Sequence, residues 1–405
     1  MTAEDGPTTP VSTVEPEIDE EDWSQDDDAQ PEHAEAEQPK PEEWDQSVGV
    51  YNELAKHAHL RQSPAALKTA RDAVNEHPRP YWRNKARRMF DAVIERNLFA
   101  AAEPAPPGHI RSFDVLPYPK LQYNLTRGMN WYASNHGFEA SIFHPARFSE
   151  KLLVTKLFAP LPMPSPGDKL GVERYIPPAW RTVVRPAKRF WESHLPVIPE
   201  EIDAPPGVYY LKANHSSGAN EKITLPLSES DREELSKLAK RWLNFDYGLR
   251  GGEWWYQLVQ RKVYIEESFS DIGASAPDWK FFVLSGRVAM VQVDLDRDQD
   301  HIQLIYDRDF TFLPTELFYK SGDPIEKPKN FDDMVGAAEA IGRQFEFARV
   351  DLYNTSEGLI LGEITLAPGG ARLRIRSPEL DMWMGEQWKS AFFRPGWRPK
   401  GAAPV

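Results

Sequence analysis

Short apolar runs that alternate with amphipathic helices predict an α+β fold from about His109 onward. Three observations carry this. Val208 to Lys212 and Arg261 to Glu266 read as strands. Between them, Ser230 and Glu233 have capping-box spacing ahead of Leu235, Leu238, Ala239, Trp242 and Leu243, which share one helical face. Farther on, Phe281 to Leu284 and Val288 to Leu295 flank Ser285-Gly286, a hairpin turn. Asn330 opens a further helix with Met334, Ala338, Ile341 and Phe345 inward, and Phe347 to Leu352 with Leu359 to Ile364 form a last strand pair around Gly358. With 13 Trp, 20 Phe and 14 Tyr the chain has ample material for a large core.

The 405 residues exceed one average domain, and their charge is unevenly placed. Residues 1–46 hold 17 acidic side chains against Lys40 alone, so of the net −14 this stretch accounts for −16 and the rest carries +2. It is proline-rich and poor in apolar residues, which predicts a disordered acidic tail, a solvated segment or a tether for a basic protein partner. Residues 47–108 read as a helical hairpin and linker: Ser63-Pro64 is a helix start, and Trp82, Ala86, Met89, Phe90 and Val93 recur at helical spacing. The domain proper is then 109–400. The near-neutral body gives nucleic-acid binding no support. The absence of cysteine excludes thiol nucleophiles and thiolate metal sites. The acidic N-terminus is no secretory signal, and no run of about 18 apolar residues spans a membrane, so a cytoplasmic location is expected.

Three clusters carry chemistry. In the first, a strand ends in Lys212 and runs into Ala213-Asn214-His215-Ser216-Ser217-Gly218, a small polar loop able to bring backbone N–H groups to phosphate oxygens beside a lysine charge. It lacks the Walker pattern, and a structural lysine before a turn is the alternative. In the second, strand alternation puts Arg349 and Asp351 on one face, and Glu363 and Thr365 on one face of the next strand. Two carboxylates inside apolar runs need a compensating cation. Either Mg²⁺ with nucleotide phosphates or an ion pair from Arg349 supplies it; the two strands together, ending in Ala367-Pro368-Gly369-Gly370, favour the metal. In the third, Val263 to Phe269 is an apolar strand running into Glu266 and Glu267, either an adenine edge or a solvated strand end.

These blocks, in this order, resemble the ATP-grasp superfamily and, within it, the TupA-like group named for teichuronopeptide biosynthesis. The resemblance runs from about His144 to Trp388, through Phe148-Ser149-Glu150-Lys151-Leu152, Asp168-Lys169, Leu211-Lys212, Asn214-His215, Ser217-Gly218, Tyr247-Gly248, Arg250 and Glu253-Trp254. It continues through Glu266-Glu267, Asp278-Trp279-Lys280-Phe281-Phe282, Asp294 to Arg297, Arg349 to Tyr353 and Gly362 to Thr365. The family implies an ATP-grasp fold, two α+β lobes enclosing a nucleotide cleft. By this resemblance Lys169 and Lys212 contact nucleotide phosphates, and the loop of His215, Ser216, Ser217 and Gly218 covers them. Glu266, Glu267 and Phe269 meet adenine, Asp278 meets ribose, and Asp351 and Glu363 hold Mg²⁺. Arg349, Lys280 and Lys212 are the expected catalytic cations, and Thr365 stands where many relatives carry Asn.

The expected activity is ATP-dependent ligation of a small-molecule or saccharide carboxylate to an amine through an acyl phosphate, in cell-surface polysaccharide or glycopeptide synthesis. A kinase acting on a hydroxyl and a nucleotide-binding scaffold are the rivals; retention of Lys212, Arg349 and both carboxylates speaks against the scaffold. A glycosyltransferase has only Asp294-Leu295-Asp296 in its favour. The alternating Asp294, Asp296, Asp298 and Asp300 lack the glycine of a calcium loop. His301 is open to two readings, an acceptor-binding group or a charged hairpin end, as are Arg372, Arg374 and Arg376, an anion site or a basic edge strand.

Overall fold

A computed structural model of the chain describes residues 105–138, 140–141, 145–249, 251–269, 277–295, 301–317, 319–372 and 375–389. The acidic tail, nearly all of the expected helical hairpin, His144, Arg250, Asp296, Arg297, Asp298, Asp300 and Arg374 lie outside these residues.

The described chain opens with β1 (His109–Ile110), α1 (Ser112–Val115), α2 (Tyr118–His136), α3 (Phe148–Phe158) and β2 (Leu161–Pro162). A four-stranded lobe follows: β3 (Val184–Pro186) leads to β4 (Arg189–Ser193), β5 (Gly207–Ala213), β6 (Asn220–Leu225), α4 (Glu229–Asn244) and β7 (Val263–Glu267). Then come β8 (Asp278–Leu284), β9 (Arg287–Leu295), β10 (Ile302–Asp307), α5 (Phe331–Gly342), β11 (Phe347–Thr355), β12 (Gly358–Thr365) and α6 (Pro378–Gln387). The large sheet has the order β10-β9-β8-β11-β12-β3, and the smaller one β4-β7-β5-β6. All neighbours are antiparallel except β12 and β3. No helix among the described residues is long and apolar enough to cross a membrane.

Alternation divides the large sheet into two unlike faces. Trp279 and Phe281 reach Phe331 of α5, and the same helix brings Met334, Ala338 and Ile341 into the core with Val283, Val291 and Val350. The residues between them, Asp278, Lys280, Arg349 and Asp351, point to the opposite face. The β8–β9 turn forms as its sequence suggests: Ser285 and Gly286 take φ of 49° and 80°, the left-handed pair a tight hairpin needs.

In the smaller lobe α4 lays Leu235 and Ala239 against Leu211, Ile223, Val263 and Ile265. Its cap falls two residues earlier than the sequence suggests. Ser228, not Ser230, accepts from the Asp231 N–H at 3.1 Å, and Asp231 accepts from the Ser228 N–H at 3.1 Å. Both frames satisfy the pattern, but Ser228 takes the extended cap conformation, with φ −71° and ψ 166°, whereas Ser230 already lies within the helix. Phe345 lies just past α5 and is still buried. Around Arg372 and Arg376 there is no edge strand among the described residues; a 3₁₀ turn (Pro368–Ala371) leads into α6.

All eleven residues of α3 are buried. Phe148 meets Phe282 and Phe347 of the large sheet, while polar groups join α3 to α6. Ser149 donates from its N–H and Oγ to Asp381 at 2.9 and 2.7 Å, and Lys151 Nζ donates to the carbonyls of Gly385 and Trp388 at 2.7 and 3.1 Å. α6 approaches the chain entering α3 so closely that a Cβ on Gly385 would sit 2.0 Å from the Ala146 carbonyl oxygen. Because that obstacle is backbone, Gly385→Ala is expected to cost about 3 kcal/mol, read as a lower denaturant midpoint at unchanged slope.

Candidate functional site

Four neighbouring strands set the polar face. Asp351 pairs across β11–β12 with Glu363 and across β11–β8 with Lys280. Asp278 pairs across β8–β9 with Asp294, and Arg349 pairs with Thr365. The sheet register therefore gathers residues widely separated in sequence into one patch of alternating charge.

Arg349 lies at its centre. Its Nε and Nη2 donate to Asp351 at 2.8 and 2.6 Å, and Nη2 also donates to Glu363 at 3.0 Å. Thr365 Oγ1 donates to the same Glu363 oxygen at 2.6 Å, and Lys169 Nζ stands 3.6 Å from the other. Burial works against the Glu363 charge, but Lys169 and then Arg349 outweigh it and hold the carboxyl down at about 2. For Asp351 burial is the largest influence and pushes its carboxyl up, opposed by Arg349 and reinforced by Glu363 and Asp278. The alternative considered from sequence, an Arg349 ion pair, is thus formed with both carboxylates.

Lys280 is buried between two carboxylates, bonded to Asp294 and 3.2 Å from Asp278. Burial opposes its charge, yet Asp278 and Asp294 hold the ammonium above its ordinary range. Asp294 also accepts from Gln292 at 3.1 Å and Gln303 at 3.0 Å, which makes it part of this network rather than the first ligand of a calcium loop. His301 stands 3.4 Å from Asp294 with its ring stacked on Tyr319.

The smaller lobe presents its own groups. Lys212 pairs with Glu266, and Glu267 with Arg185 while accepting the Lys188 N–H at 2.7 Å. Phe269 packs on Tyr353 at 4.9 Å between ring centres. Lys169 also donates to the Ser216 carbonyl, so one side chain ties the loop after β5 to Glu363 on the large sheet. That loop is anchored by Asn214, whose amide donates to Asp168 at 2.8 Å and to the Gln260 carbonyl at 3.0 Å. His215 is buried with Nε2 3.1 Å from the Trp242 carbonyl, and burial draws its imidazole down to about 4. Ser216 is buried; Ser217 and Gly218 are exposed, Gly218 at φ 72°. The loop therefore offers its exposed tip and backbone to a ligand, with the His215 ring turned inward.

Lys169, Arg349, Lys280, Asp278, Asp351 and Glu363 form one connected set, while Lys212, Glu266, Glu267 and the 215–218 loop line the facing lobe. Among the described residues no group of three or more His, Cys, Asp or Glu is placed to hold a metal ion unaided. Asp351 and Glu363 still suit Mg²⁺, which takes one or two carboxylates and completes its shell with phosphate oxygens and water. Sequence reasoning passed over Asn124 and Lys156, buried beside this region; a lysine inside the apolar run Leu152 to Phe158 was the available signal.

The Arg349 geometry changes one expectation. From sequence alone, neutralising a metal carboxylate relieves repulsion and preserves or improves folding. Here each carboxylate is already paired, so Asp351→Asn leaves a buried guanidinium without its bidentate partner. Without nucleotide or metal, Asp351→Asn and Arg349→Gln are each expected to lose about 3 kcal/mol by chemical denaturation, and the double variant less than the sum.

Residues 168–389 match the family model described as TupA-like ATPgrasp. No curated protein matches the chain. Among solved structures, the ATP-grasp ligase PsnB with a precursor variant, Mg and ADP is 14% identical, over 54% of this chain and 59% of that one, with a TM-score of 0.26. The D-alanine–D-alanine ligase from Bacillus anthracis with ATP is 13% identical, over 50% of this chain and 55% of that one, with a TM-score of 0.31. The L-amino acid ligase from Bacillus licheniformis is 12% identical, over 59% and 45%, with a TM-score of 0.29. The chain thus spans less than two thirds of the length of each. The family match alone covers more than half of the 405 residues, and with it the chain belongs to the TupA-like ATP-grasp family.

Proposed function

We propose that the protein is an ATP-dependent carboxylate–amine ligase. The observation that carries this reading is the Asp351–Glu363 cross-strand pair, bridged by Arg349 and flanked by Lys169 and Lys280 on one face of the large sheet. Such an array is suited to a nucleotide triphosphate, whose transferring phosphoryl group needs charge neutralisation and alignment more than covalent help.

In this reading Lys169, Lys212 and the exposed tip at Ser217 and Gly218 bind the phosphates. Glu266, Glu267 and Phe269 border the adenine, Asp278 the ribose, and Asp351 with Glu363 would hold Mg²⁺. When bound, that ion supplies Lewis-acid neutralisation of phosphate oxygens. Arg349 and Lys280 are placed to stabilise charge on the transferring group. A carboxylate oxygen of the first substrate attacks the γ-phosphorus and ADP departs. The amine nitrogen of the second then attacks the acyl carbon, phosphate leaves with the bonding pair, and the nitrogen loses a proton. A cytoplasmic setting follows from the need for ATP. Cell-surface polysaccharide or glycopeptide synthesis rests on the family resemblance alone. The division into an acidic tail over 1–46, a helical segment over 47–108 and the catalytic domain over 109–400, with a protein partner for the first two, belongs to the same proposal.

Two measurements test it. Millimolar Mg-ATP is expected to raise the melting temperature and give a saturable calorimetric isotherm, because a ligand selective for the native state must stabilise it; no shift and no heat of binding would sink the proposal. With a substrate found by screening amino acids and uronic-acid sugars for ATP-dependent phosphate release, Glu363→Gln is expected to lower kcat by about 100-fold or more. Turnover near the wild-type rate would remove Glu363 from the metal site.

A further inference from the structure

Asp168 and Asn214 join the turn that carries Lys169 to the loop after β5. Asn214 follows β5 directly and is 1% exposed. Both donors and the oxygen of its amide are engaged. The nitrogen donates to Asp168 Oδ1 at 2.8 Å and to the Gln260 carbonyl at 3.0 Å, and the oxygen accepts from the Lys262 N–H at 2.8 Å. Its backbone donates to the Lys262 carbonyl at 3.1 Å and accepts from the Lys169 N–H at 3.0 Å. A buried amide with its polar atoms matched in this way is held to one rotamer and one position.

Asp168 completes the contact. The same Oδ1 accepts from the Leu170 N–H at 3.1 Å and caps the 3₁₀ turn Lys169–Tyr175. Its other oxygen fits against Gly171, where a Cβ would come within 3.2 Å of it. The Lys169 backbone is thereby held on both sides, by its own N–H on Asn214 and by the cap that spans it. From there Nζ reaches the Ser216 carbonyl and stands 3.6 Å from Glu363 Oε2. Three contacts, 168 to 214, 169 to 214 and 169 to 216, close a ring between the lysine and the loop whose tip, Ser217 and Gly218, is exposed. A lysine side chain is long and flexible, so fixing its backbone beforehand leaves less freedom for a ligand to remove.

We propose that Asp168, through its contact with Asn214, is a positioning residue that sets Lys169 and the 215–218 loop as one unit, so that the ammonium and the loop tip meet the same phosphate group of the nucleotide. This rests on the ligase reading above, in which Lys169 binds phosphate. Asp168 itself does not touch the nucleotide; it acts through the lysine.

The test is calorimetric titration of the full chain with Mg-ATP, for wild type, Lys169→Met, Asp168→Ala and the double variant. Each single variant is expected to weaken Mg-ATP binding about tenfold. In the Lys169→Met background Asp168→Ala should weaken it no further, because the lysine that it positions is gone. Asp168→Asn keeps an oxygen for both donors and should bind Mg-ATP as wild type does. A merely structural carboxylate gives a different pattern, with the same loss whether or not the lysine is present. Asp168→Ser can still cap Leu170 but is one atom shorter, and it replaces Asp168→Ala if that variant does not fold; if neither folds, the role is structural and the proposal is wrong. It is wrong too if Asp168→Ala binds as wild type, if its loss persists without the lysine, if Asp168→Asn loses as much, or if Lys169→Met has no effect. In each of these cases wild type still binds nucleotide and the ligase reading stands. If wild type itself fails to bind Mg-ATP, the ligase reading falls and takes the positioning role with it.

Discussion

The contact between Arg349 and two carboxylates is what makes the polar face of the large sheet tenable. Asp351 and Glu363 face each other across paired strands whose alternate residues form the apolar core. Neither charge has enough water to sustain it alone, and together they repel. One guanidinium, with a fixed fork of donors, satisfies both at once. A lysine in its place would be a point charge without the second reach. Lys280 repeats the arrangement one strand over, between Asp278 and Asp294. The face is therefore a lattice of shared charges, in which Arg349 and Lys280 each serve two anions.

The same economy links the lobes. Lys169 reaches the Ser216 carbonyl of the loop after β5 and also faces Glu363. Asn214 holds that loop to Asp168 and to Lys262, just ahead of β7, whose N–H it accepts at 2.8 Å. Any phosphate arriving between the lobes enters a place where the protein's own groups already satisfy one another. Its binding must replace those contacts with stronger ones, so the measured affinity is the difference between the two sets.

Much of this was legible in the sequence. Strand alternation placed Arg349 with Asp351 and Glu363 with Thr365, and the hairpin at Ser285-Gly286 followed from turn chemistry. The cap of α4 was off by two residues because Ser228 and Ser230 both satisfy the same short pattern, which local spacing cannot rank. The edge-strand alternative for the Arg372 region arose because alternating arginines mimic period two, whereas among the described residues Pro368 and two glycines at positive φ turn the chain just ahead of it. Register between strands is set by the whole sheet, so the contact of Lys280 with Asp294 was out of reach of any local window. Lys156 was missed for a similar reason: the carbonyls it donates to, Gly251 and Gly370, lie 95 and 214 positions away.

The seam between α3 and α6 has a consequence for how the protein is made. Ser149 and Lys151 find their partners at Asp381, Gly385 and Trp388, 232 to 237 positions later in the chain. A ribosome delivers those partners long after α3 has emerged. Until then an all-buried helix waits with its apolar surface uncovered and its lysine unpaired. Contacts of such long range slow closure and lengthen the exposure of sticky surface. Expression slowed or interrupted over that interval would therefore yield an aggregation-prone species, and co-produced chaperones would improve recovery of the whole domain.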